Sequence, residues 1–302
     1  MPIHVATAFD NNYVQHAGVM LCSLFSNNPD ENFHLHLFCH HVEQPSLRKL
    51  EEFLTGHHCV VHFYDVSLDN EKKLVVSGHI SIASYLRVFL PAYLDSSIEK
   101  ILYLDPDIIV KGNISELWET DVSNFYLAAV ENVTPERKEI LSDVDEYRYF
   151  NAGVLLINIM YWREHKVMEK VVSFIENNHT RLKWHDQDAL NAVLYNKWLA
   201  VHPKYNMQGA LFMDEFSCFR GNPDELKEAI DSPAIIHYST PLKPWHYLSF
   251  HPYTNEYFNY LVHTPWQAFE PTDKNTVRFL RKIIRPYLRK LGIRKILGKH
   301  LY

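Results

Sequence analysis

The sequence predicts an α/β protein with a mostly parallel central sheet. From residue 3 to residue 110, short apolar segments of strand length alternate with segments whose apolar residues recur at helical spacing. Alternating strands and helices form right-handed crossovers, which place successive strands parallel to one another. The 302 residues are 47% hydrophobic and can bury one sizeable core, so a disordered or fibrous chain is excluded.

The first part of the chain repeats a strand and helix unit. The predicted strands are Ile3 to Phe9, Phe33 to Phe38 and Val60 to Tyr64, and the predicted helices are Val14 to Phe25 and Ser46 to Leu54. The polar segment Asp10-Asn11-Asn12 ends the first strand. Because ligands bind beyond the carboxyl ends of parallel strands, Asp10 is a candidate site residue.

The same pattern continues to the end of the body. The predicted helices are Ile82 to Tyr93, Tyr161 to Glu176 and Gln187 to Tyr195, and the predicted strands are Ile101 to Leu104, Ile108 to Val110, Phe125 to Val130, Gly153 to Ile159 and Ala234 to His237. A boundary is indicated only near Pro265 to Asp273. We therefore divide the chain into a body, residues 1–264, and a tail, residues 265–302.

The net charge of −6 conceals a strong asymmetry. Residues 274–302 carry ten Lys or Arg and no Asp or Glu, whereas the first 273 residues have a formal charge of −16. Apolar positions at spacings of three and four with basic residues between them predict a basic amphipathic helix, kinked at Pro286. These apolar positions are Val277, Leu280, Ile284, Tyr287, Leu288 and Leu291.

Three partners suit such a helix. It can lie on an anionic membrane surface, where each cation contributes about 1 kcal/mol, and this is the favoured interpretation. It can also pack its apolar side on the acidic body. Nucleic acid is the least favoured partner and is not expected, because the acidic body would repel phosphate.

The cysteines and the N-terminus bear on the cellular compartment. The four cysteines, Cys22, Cys39, Cys59 and Cys218, are too few and too scattered for a disulfide framework. That pattern indicates a reducing compartment. His4 and Asp10 interrupt the segment in which a signal peptide would be apolar, and no apolar run is long enough to span a bilayer. We expect the chain to be cytosolic.

Two carboxylates follow a buried strand at Asp105-Pro106-Asp107. Oxygen ligands one residue apart can share a divalent cation and leave positions for a substrate diphosphate. Flanked by apolar segments, both carboxylates would be costly to bury unless they are paired or metal-bound. The simpler alternative is a turn that contains proline and is capped by aspartate. A similar triplet, Asp143-Val144-Asp145, lies in a polar segment and is interpreted as a solvated turn.

Two further segments carry candidate site residues. Asp186-Gln187-Asp188 precedes a helix, where it is either an acidic first turn or a group that faces a reacting carbon or a sugar hydroxyl. His237 leaves a buried strand and could bind a metal ion, and Lys243 could reach a phosphate. The simpler alternative is a histidine in the core and a lysine at the surface. Neither a Walker loop nor GxGxxG occurs among the nine glycines, so a metal ion and lysine must neutralise any bound phosphates.

Taken together, these segments resemble glycosyltransferase family 8, in particular the bacterial lipopolysaccharide α-galactosyl- and α-glucosyltransferases. The resemblance covers residues 3 to 250, in the order found in that family. Its motifs are Ala8-Phe9-Asp10-Asn11-Asn12-Tyr13, Ile80-Ser81-Ile82-Ala83-Ser84-Tyr85-Leu86-Arg87, Tyr103-Leu104-Asp105-Pro106-Asp107, Phe150-Asn151-Ala152-Gly153-Val154-Leu155-Leu156-Ile157-Asn158, Asp186-Gln187-Asp188-Ala189-Leu190-Asn191 and His237 to Trp245.

The resemblance implies a GT-A fold for residues 1–264 and binding of a UDP-sugar with Mn²⁺ or Mg²⁺. Asp105, Asp107 and His237 would bind the metal, and Lys243 would contact a phosphate. The further donor-binding residues implied are Ala8, Asp10, Asn12, Tyr13, Arg87, Leu104, Asp105, Asn151, Ala152, Asp186 and Gln187. Catalytic roles are implied for Gln187, Asp186 and Asp188. Two positions depart from the family pattern: Thr240 replaces a common glycine, and Glu131-Asn132 replaces a pattern that often ends in aspartate.

The resemblance also implies retention of the anomeric configuration. Retention could follow double displacement at Gln187 or a nearby carboxylate, or a same-face route that the leaving phosphate assists. We favour the same-face route, since an amide is a poor nucleophile. The expected enzyme transfers galactose or glucose from a UDP-sugar to a lipid-linked oligosaccharide, at the inner face of the membrane, which it meets through residues 274–302. The alternatives are a glycogenin-like enzyme that modifies protein or itself, and a UDP-sugar-binding protein without turnover.

Overall fold

The computed structural model describes residues 2–66, 82–133, 148–209, 221–249 and 251–290, together with Ile140 and Phe219. The predicted turn at Asp143-Val144-Asp145, the family motif residues Ile80 and Ser81, Cys218 and tail residues 291–302 lie outside these residues. The strands are β1 (Ile3–Asp10), β2 (Phe33–His40), β3 (Cys59–Asp65), β4 (Lys100–Leu104), β5 (Ile108–Val110), β6 (Leu127–Glu131), β7 (Phe150–Asn158), β8 (Trp198–Ala200), β9 (Met207–Gln208) and β10 (Ile235–His237).

The helices complete an α/β architecture. They are α1 (Val14–Asn27), α2 (Gln44–Leu54), α3 (Leu90–Tyr93), α4 (Ser115–Glu119), α5 (Ile159–Glu164), α6 (Val167–Asn178), α7 (His185–Leu194), α8 (Pro223–Asp231), α9 (Thr254–Leu261) and α10 (Thr276–Lys290), with 3-10 helices at Ile82–Phe89 and Pro203–Tyr205.

The central sheet has the strand order β3-β2-β1-β4-β7-β6-β8. Strands β1 to β4 run parallel, and β7 runs antiparallel to both of its neighbours, β4 and β6. The carboxyl ends of β1 and β4 therefore meet the amino end of β7 at one edge of the sheet. Strands β5, β10 and β9 form a second, smaller sheet at that edge, which begins one turn after β4. The mostly parallel sheet expected from the sequence is confirmed.

The core has one apolar layer on each face of the central sheet. Alternate residues of β1, among them Val5 and Phe9, pack with Leu21 of α1 and Leu50 of α2 on one face. The residues between them, such as Ala6 and Ala8, belong to the opposite layer with α5, α6 and α7. Strands that are buried on both faces require near-continuous apolar sequences, which is why β1 and β4 were recognisable as strands.

Two predicted helices differ in the structure. The segment Ile82–Tyr93 is a 3-10 helix up to Phe89 and becomes α-helical only at Leu90. Pro91, which lacks an N–H, stands in the first turn of that helix, where no hydrogen bond is lost. Tyr161 to Glu176 forms parts of two helices, since Lys166 has a φ of 52° and ends the helical path.

The first residues of the strand β7 extend its predicted range. The strand begins at Phe150, three residues before the expected start at Gly153, so Asn151 and Ala152 belong to the sheet. They were missed because polar Asn151 interrupts the apolar sequence, although its side chain is 6% exposed. This extension brings the amino end of β7 to the carboxyl end of β4, where the Asp105 N–H donates to the Gly153 carbonyl over 2.8 Å.

The tail forms α10, which continues through Pro286. On its basic side, Arg278 pairs with Asp273, and Lys282 lies 4.4 Å from the ring centre of Tyr247. Among the side chains of the helix that the structure describes, five apolar ones are exposed: Val277, Phe279, Leu280, Ile283 and Ile284. Within the described residues, no helix has the length and apolar character needed to cross a membrane. The boundary at residue 264 stays a prediction.

Candidate active site

A cavity of about 210 Å³ opens at the edge where β1, β4 and β7 meet. Eleven of the residues predicted from the sequence line it: Ala8, Tyr13, Arg87, Asp105, Asp107, Asn151, Ala152, Asp186, Gln187, His237 and Lys243. They come from segments that span almost the whole body. The position agrees with the rule that ligands of α/β sheets bind beyond the carboxyl ends of the strands.

Asp105, Asp107 and His237 form a group that could hold a metal ion. One ligand atom from each lies within 4.8 Å of the other two. Asp105 directly follows β4, and His237 ends β10, which pairs with β5 so that His237 lies opposite Ile108. The chain turn at Pro106 thus places both carboxylates beside the imidazole. Two carboxylate oxygens and one imidazole nitrogen suit Mn²⁺ or Mg²⁺ with further positions left for a substrate.

Two features of this group fit a bound cation. Asp107 Oδ1 is buried without a hydrogen-bond partner among the described residues, with His237 Nε2 at 3.4 Å. A buried carboxylate oxygen of this kind has a high desolvation cost unless a cation approaches it. In addition, a Cβ on Gly153 would lie 2.2 Å from His237 Cε1, so only glycine leaves room for the imidazole at this place.

Arg87 holds the carboxylates on the β4 side of the cavity. Its guanidinium lies 2.9 Å from Asp105 Oδ1 and 3.0 Å from Asp186 Oδ2, and it also donates to the Ala152 carbonyl. The Tyr103 ring packs against the guanidinium, with its centre 4.7 Å from the guanidinium carbon. The Tyr103 hydroxyl donates a hydrogen bond to Asp105. Burial raises the pKa of Asp105, while Arg87 opposes that rise.

Lys243 holds the other carboxylate. Its Nζ lies 2.6 Å from Asp107 Oδ2 and 2.6 Å from the carbonyl oxygen of Tyr238, and the residue is 4% exposed. Although burial alone would raise the pKa of Asp107, the charge of Lys243 holds it well below its usual range. Asp107 therefore stays ionised, as a metal ligand must be.

The start of α7 contributes two groups from the opposite wall. Burial raises the pKa of Asp186 to about 6, against the opposing charge of Arg87. Gln187 accepts a hydrogen bond from the Ala152 N–H over 2.9 Å and donates to the Tyr149 hydroxyl over 3.3 Å. Its amide is therefore oriented by fixed partners, which suits a positioning role.

Four predicted site residues lie away from the cavity. Leu104 packs in the apolar layer under α1, and Asp188 is fully buried behind the wall, where it accepts the N–H groups of Lys183 and Trp184. Asp10 accepts the Asn12 N–H, and Asn12 is exposed just outside the cavity. A carboxylate that accepts backbone N–H groups stabilises the start of the helix, so the structure indicates a structural role for Asp188.

Several cavity residues were not predicted from the sequence: Ala83, Ser84, Tyr103, Trp184, Gln208 and Ser239. Asn206 was also missed; it is fully buried and contacts His237. Gln208 is 1% exposed and donates to the Glu131 carbonyl. Ala83, Ser84, Tyr103 and Ser239 lie within the family motifs, although no role was assigned to them. For Tyr103, strand alternation also places its side chain two residues before that of Asp105 on the same face.

The two departures from the family pattern have structural explanations. Thr240 Cγ2 would lie 3.0 Å from a Cβ on Gly209, so glycine at 209 makes room for the threonine. Glu131 is 4% exposed and pairs with Arg148 at 2.9 Å, so its charge is neutralised, and Asn132 lines the cavity.

Comparisons with known proteins agree with this geometry. The family model described as Glycosyl transferase family 8 matches residues 4–249. General stress protein A of Bacillus subtilis is 34% identical over 273 residues, which cover 88% of this chain and 95% of that protein. The lipopolysaccharide 1,2-glucosyltransferase of Escherichia coli K12 is 26% identical over 285 residues, which cover 93% of this chain and 83% of that protein.

A solved structure supports the same relationship. The crystal structure of galactosyltransferase LgtC in complex with donor and acceptor sugar analogs has a TM-score of 0.78 and 25% identity, and the match covers 87% of this chain and 96% of that one. The match confirms the GT-A-like fold. Because the family model covers most of the body, the chain belongs to glycosyltransferase family 8.

Proposed function

We propose that the chain transfers a hexose, galactose or glucose, from a UDP-sugar to a lipid-linked oligosaccharide, with retention of configuration and with Mn²⁺ or Mg²⁺. The observation that carries the proposal is the convergence of Asp105, Asp107 and His237 with Arg87 and Lys243 in one cavity. The activities of two similar proteins, a lipopolysaccharide glucosyltransferase and a galactosyltransferase, support the hexose and the acceptor class.

The donor would lie across the cavity. Asp105, Asp107 and His237 would hold the cation beside the diphosphate, and Lys243 would supply a second positive charge from the loop after β10. When bound, the cation acts as a Lewis acid that stabilises negative charge on the diphosphate. Ala8 and Tyr13, at the end of β1, would contact uracil and ribose. Asp10 and Asn12 would reach the nucleotide only from outside the cavity.

The sugar would lie against the opposite wall. Asp186 and Gln187, with Arg87 and Asn151, would contact its hydroxyl groups and set its orientation. In the same-face reaction, the bond from the anomeric carbon to the phosphate oxygen breaks and the acceptor oxygen bonds to that carbon from the same side. The proton of the acceptor hydroxyl passes to the departing phosphate oxygen. Lys243 stabilises the UDP anion as its charge develops.

The helix α10 would bring the enzyme to its acceptor. The apolar side chains from Val277 to Ile284 face solvent, while Arg278 and Lys282 contact Asp273 and Tyr247. An exposed apolar strip next to many cations is typical of a helix that lies at an anionic membrane surface. We therefore place the enzyme in the cytoplasm, peripheral on the inner face of the membrane, where a lipid-linked oligosaccharide would be exposed.

The proposal is tested by measuring UDP release with UDP-glucose, UDP-galactose and UDP-N-acetylhexosamines in the presence of Mn²⁺ and of EDTA. We expect slow hydrolysis of one hexose donor, abolished by EDTA, and faster release when a lipid-linked oligosaccharide is added. Release that is equal with Mn²⁺ and EDTA would contradict the metal-dependent proposal. Label that accumulates on the enzyme itself would instead support the glycogenin-like alternative.

A further inference from the structure

A chain of buried side-chain contacts starts at the backbone of β7 and ends on His237. The Gly153 N–H donates to Asn151 Oδ1 over 3.0 Å. A backbone N–H can only donate, so the Asn151 atom that faces it must be the carbonyl oxygen. This contact fixes the orientation of the Asn151 amide, and the other end of that amide, Nδ2, lies 3.3 Å from Asn132 Oδ1.

The fixed Asn151 amide determines the orientation of the next one. Asn206 Nδ2 lies 2.9 Å from the same Asn151 Oδ1. Two carbonyl oxygens at that distance would repel each other, so Asn206 must present its NH₂ group to Asn151. Its carbonyl oxygen then faces the other way, and lies 2.9 Å from His237 Nδ1.

An amide oxygen accepts and cannot donate, so His237 Nδ1 must carry the hydrogen. In the neutral imidazole the lone pair is then on Nε2, which faces Asp107 Oδ1 at 3.4 Å and Asp105 Oδ2 at 3.9 Å. We propose that Asn206 is a positioning residue that, through Asn151, fixes the Nδ1–H tautomer of His237 and so presents Nε2 as the metal ligand.

The side chains in this chain of contacts are buried from solvent, which strengthens their control of the His237 tautomer. Asn206 is 0% exposed, His237 4% and Asn151 6%, so water does not compete for the three contacts. The lack of a side chain at Gly153 lets the imidazole pack directly against β7. Partners that hold the second ring nitrogen of a metal-binding histidine set its tautomer and ring orientation, and their loss typically weakens metal binding about 10- to 100-fold.

The inference rests on the proposed metal function, but its first test does not need a metal. A long-range ¹H–¹⁵N spectrum of the histidine side chains, recorded on the metal-free full-length protein at neutral pH, reports which ring nitrogen carries the hydrogen. The His237 signals are assigned by their absence from His237→Gln. We expect a hydrogen on Nδ1, and an Nδ1 without a hydrogen in the wild type would overturn the inference.

The second test measures Mn²⁺ binding by electron paramagnetic resonance. Asn206→Leu keeps a side chain of similar size but cannot accept from His237, so we expect Mn²⁺ affinity to fall about 10- to 100-fold and the Nδ1–H tautomer to be lost. Asn28→Leu is the matched control, since Asn28 is equally buried and binds only backbone groups of α1 and of the segment before α4. We expect it to bind Mn²⁺ like the wild type.

The outcomes separate the two proposals. A folded Asn206→Leu that keeps wild-type Mn²⁺ affinity and the Nδ1–H tautomer would overturn the role of Asn206. If Asn206→Leu does not fold, the wild-type spectrum decides the tautomer by itself. A wild type that binds no Mn²⁺ would overturn the proposed metal function, while the spectrum would still confirm or reject the arrangement of Asn151, Asn206 and His237.

Discussion

The cavity and the helix α10 both carry charged groups, but they hold them in opposite ways. In the cavity, Arg87 and Lys243 are 5% and 4% exposed, and each lies within 3.0 Å of carboxylate oxygens. On α10, by contrast, apolar side chains are exposed to solvent: Ile283 and Ile284 are 48% and 47% exposed. One region buries charge, and the other exposes apolar surface.

The difference indicates what each region is built to meet. A buried charge is tolerated only when it is paired, so the cavity must keep its ion pairs in fixed geometry, and a substrate encounters a preorganised site. An exposed apolar strip has little effect on the fold and becomes stabilising only when a partner covers it. Substitutions in the cavity should therefore impair chemistry, whereas substitutions on α10 should impair association only.

The largest effect is expected for Asp107→Asn. The amide is a poor ligand for a cation and removes the negative charge beside Lys243, so Mn²⁺-dependent UDP release should fall about a thousandfold, which corresponds to several kcal/mol. Asp95→Asn is the matched control, since Asp95 is exposed and its carboxylate accepts hydrogen bonds from Ser97 at the surface. Normal turnover by a folded Asp107→Asn would refute the metal assignment.

The next largest effect is expected in the pH dependence of the free energy of unfolding, to which Asp186 contributes. Its pKa is about 6 in the folded protein, above the usual value near 3.9, so the folded state binds this proton more tightly than the unfolded state does. The contribution of Asp186 to the free energy of unfolding should therefore fall by about 2 kcal/mol as pH rises from 4 to 7. Asp186→Asn should lack that decrease in urea titrations across this range. A difference between the two proteins that is constant with pH would contradict the prediction.

A smaller effect, confined to association, is expected for the double substitution Ile283→Ser and Ile284→Ser. Each buried CH₂ contributes about 0.8 kcal/mol to membrane binding, so affinity for vesicles containing phosphatidylglycerol should fall more than tenfold. UDP release without a lipid acceptor should not change. Met160→Ser with Val262→Ser is the matched control, because both side chains are 52% exposed but lie outside α10. Equal loss of vesicle binding in the two double variants would show that α10 is not the membrane surface.

The smallest effect is expected for Arg278→Ala. The variant removes an ion pair with Asp273 at the surface, and such pairs stabilise by less than about 1 kcal/mol. Urea unfolding should therefore shift only slightly. A loss of 2 kcal/mol or more would mean that α10 is packed as part of the body, which was one of the alternatives raised by its sequence.

The same comparison shows which features could be predicted from the sequence. The spacing of apolar residues identified α10 and the strands β1, β2 and β4, because an amphipathic or fully buried segment has a regular pattern of apolar residues along the sequence. The carboxylates Asp105 and Asp107 were identifiable for a related reason, since polar residues that end an apolar strand stand out. The family resemblance then related them to His237 and Lys243.

No comparable sequence pattern marks the remaining site residues. Asn206 lies after a short 3-10 helix and contacts His237 only because β9 pairs with β10 across the small sheet. Gln208 belongs to β9 and lies opposite His237 through the same strand pairing. The family motif Asp186-Gln187-Asp188 implied a role for Asp188, but a helix turns by about 100° per residue and carries its side chain away from the cavity. Neighbours in sequence were thus separated in space, and distant residues were brought together by sheet pairing.

The most direct test of the central claim is the affinity for UDP, measured by isothermal titration calorimetry with Mn²⁺ and then with EDTA. If Asp105, Asp107 and His237 hold the cation against the diphosphate, UDP should bind at least tenfold more tightly with Mn²⁺ than with EDTA, and Asp107→Asn should abolish the difference. Equal UDP affinity of the wild type under both conditions would contradict the claim that this group is a metal-dependent nucleotide site.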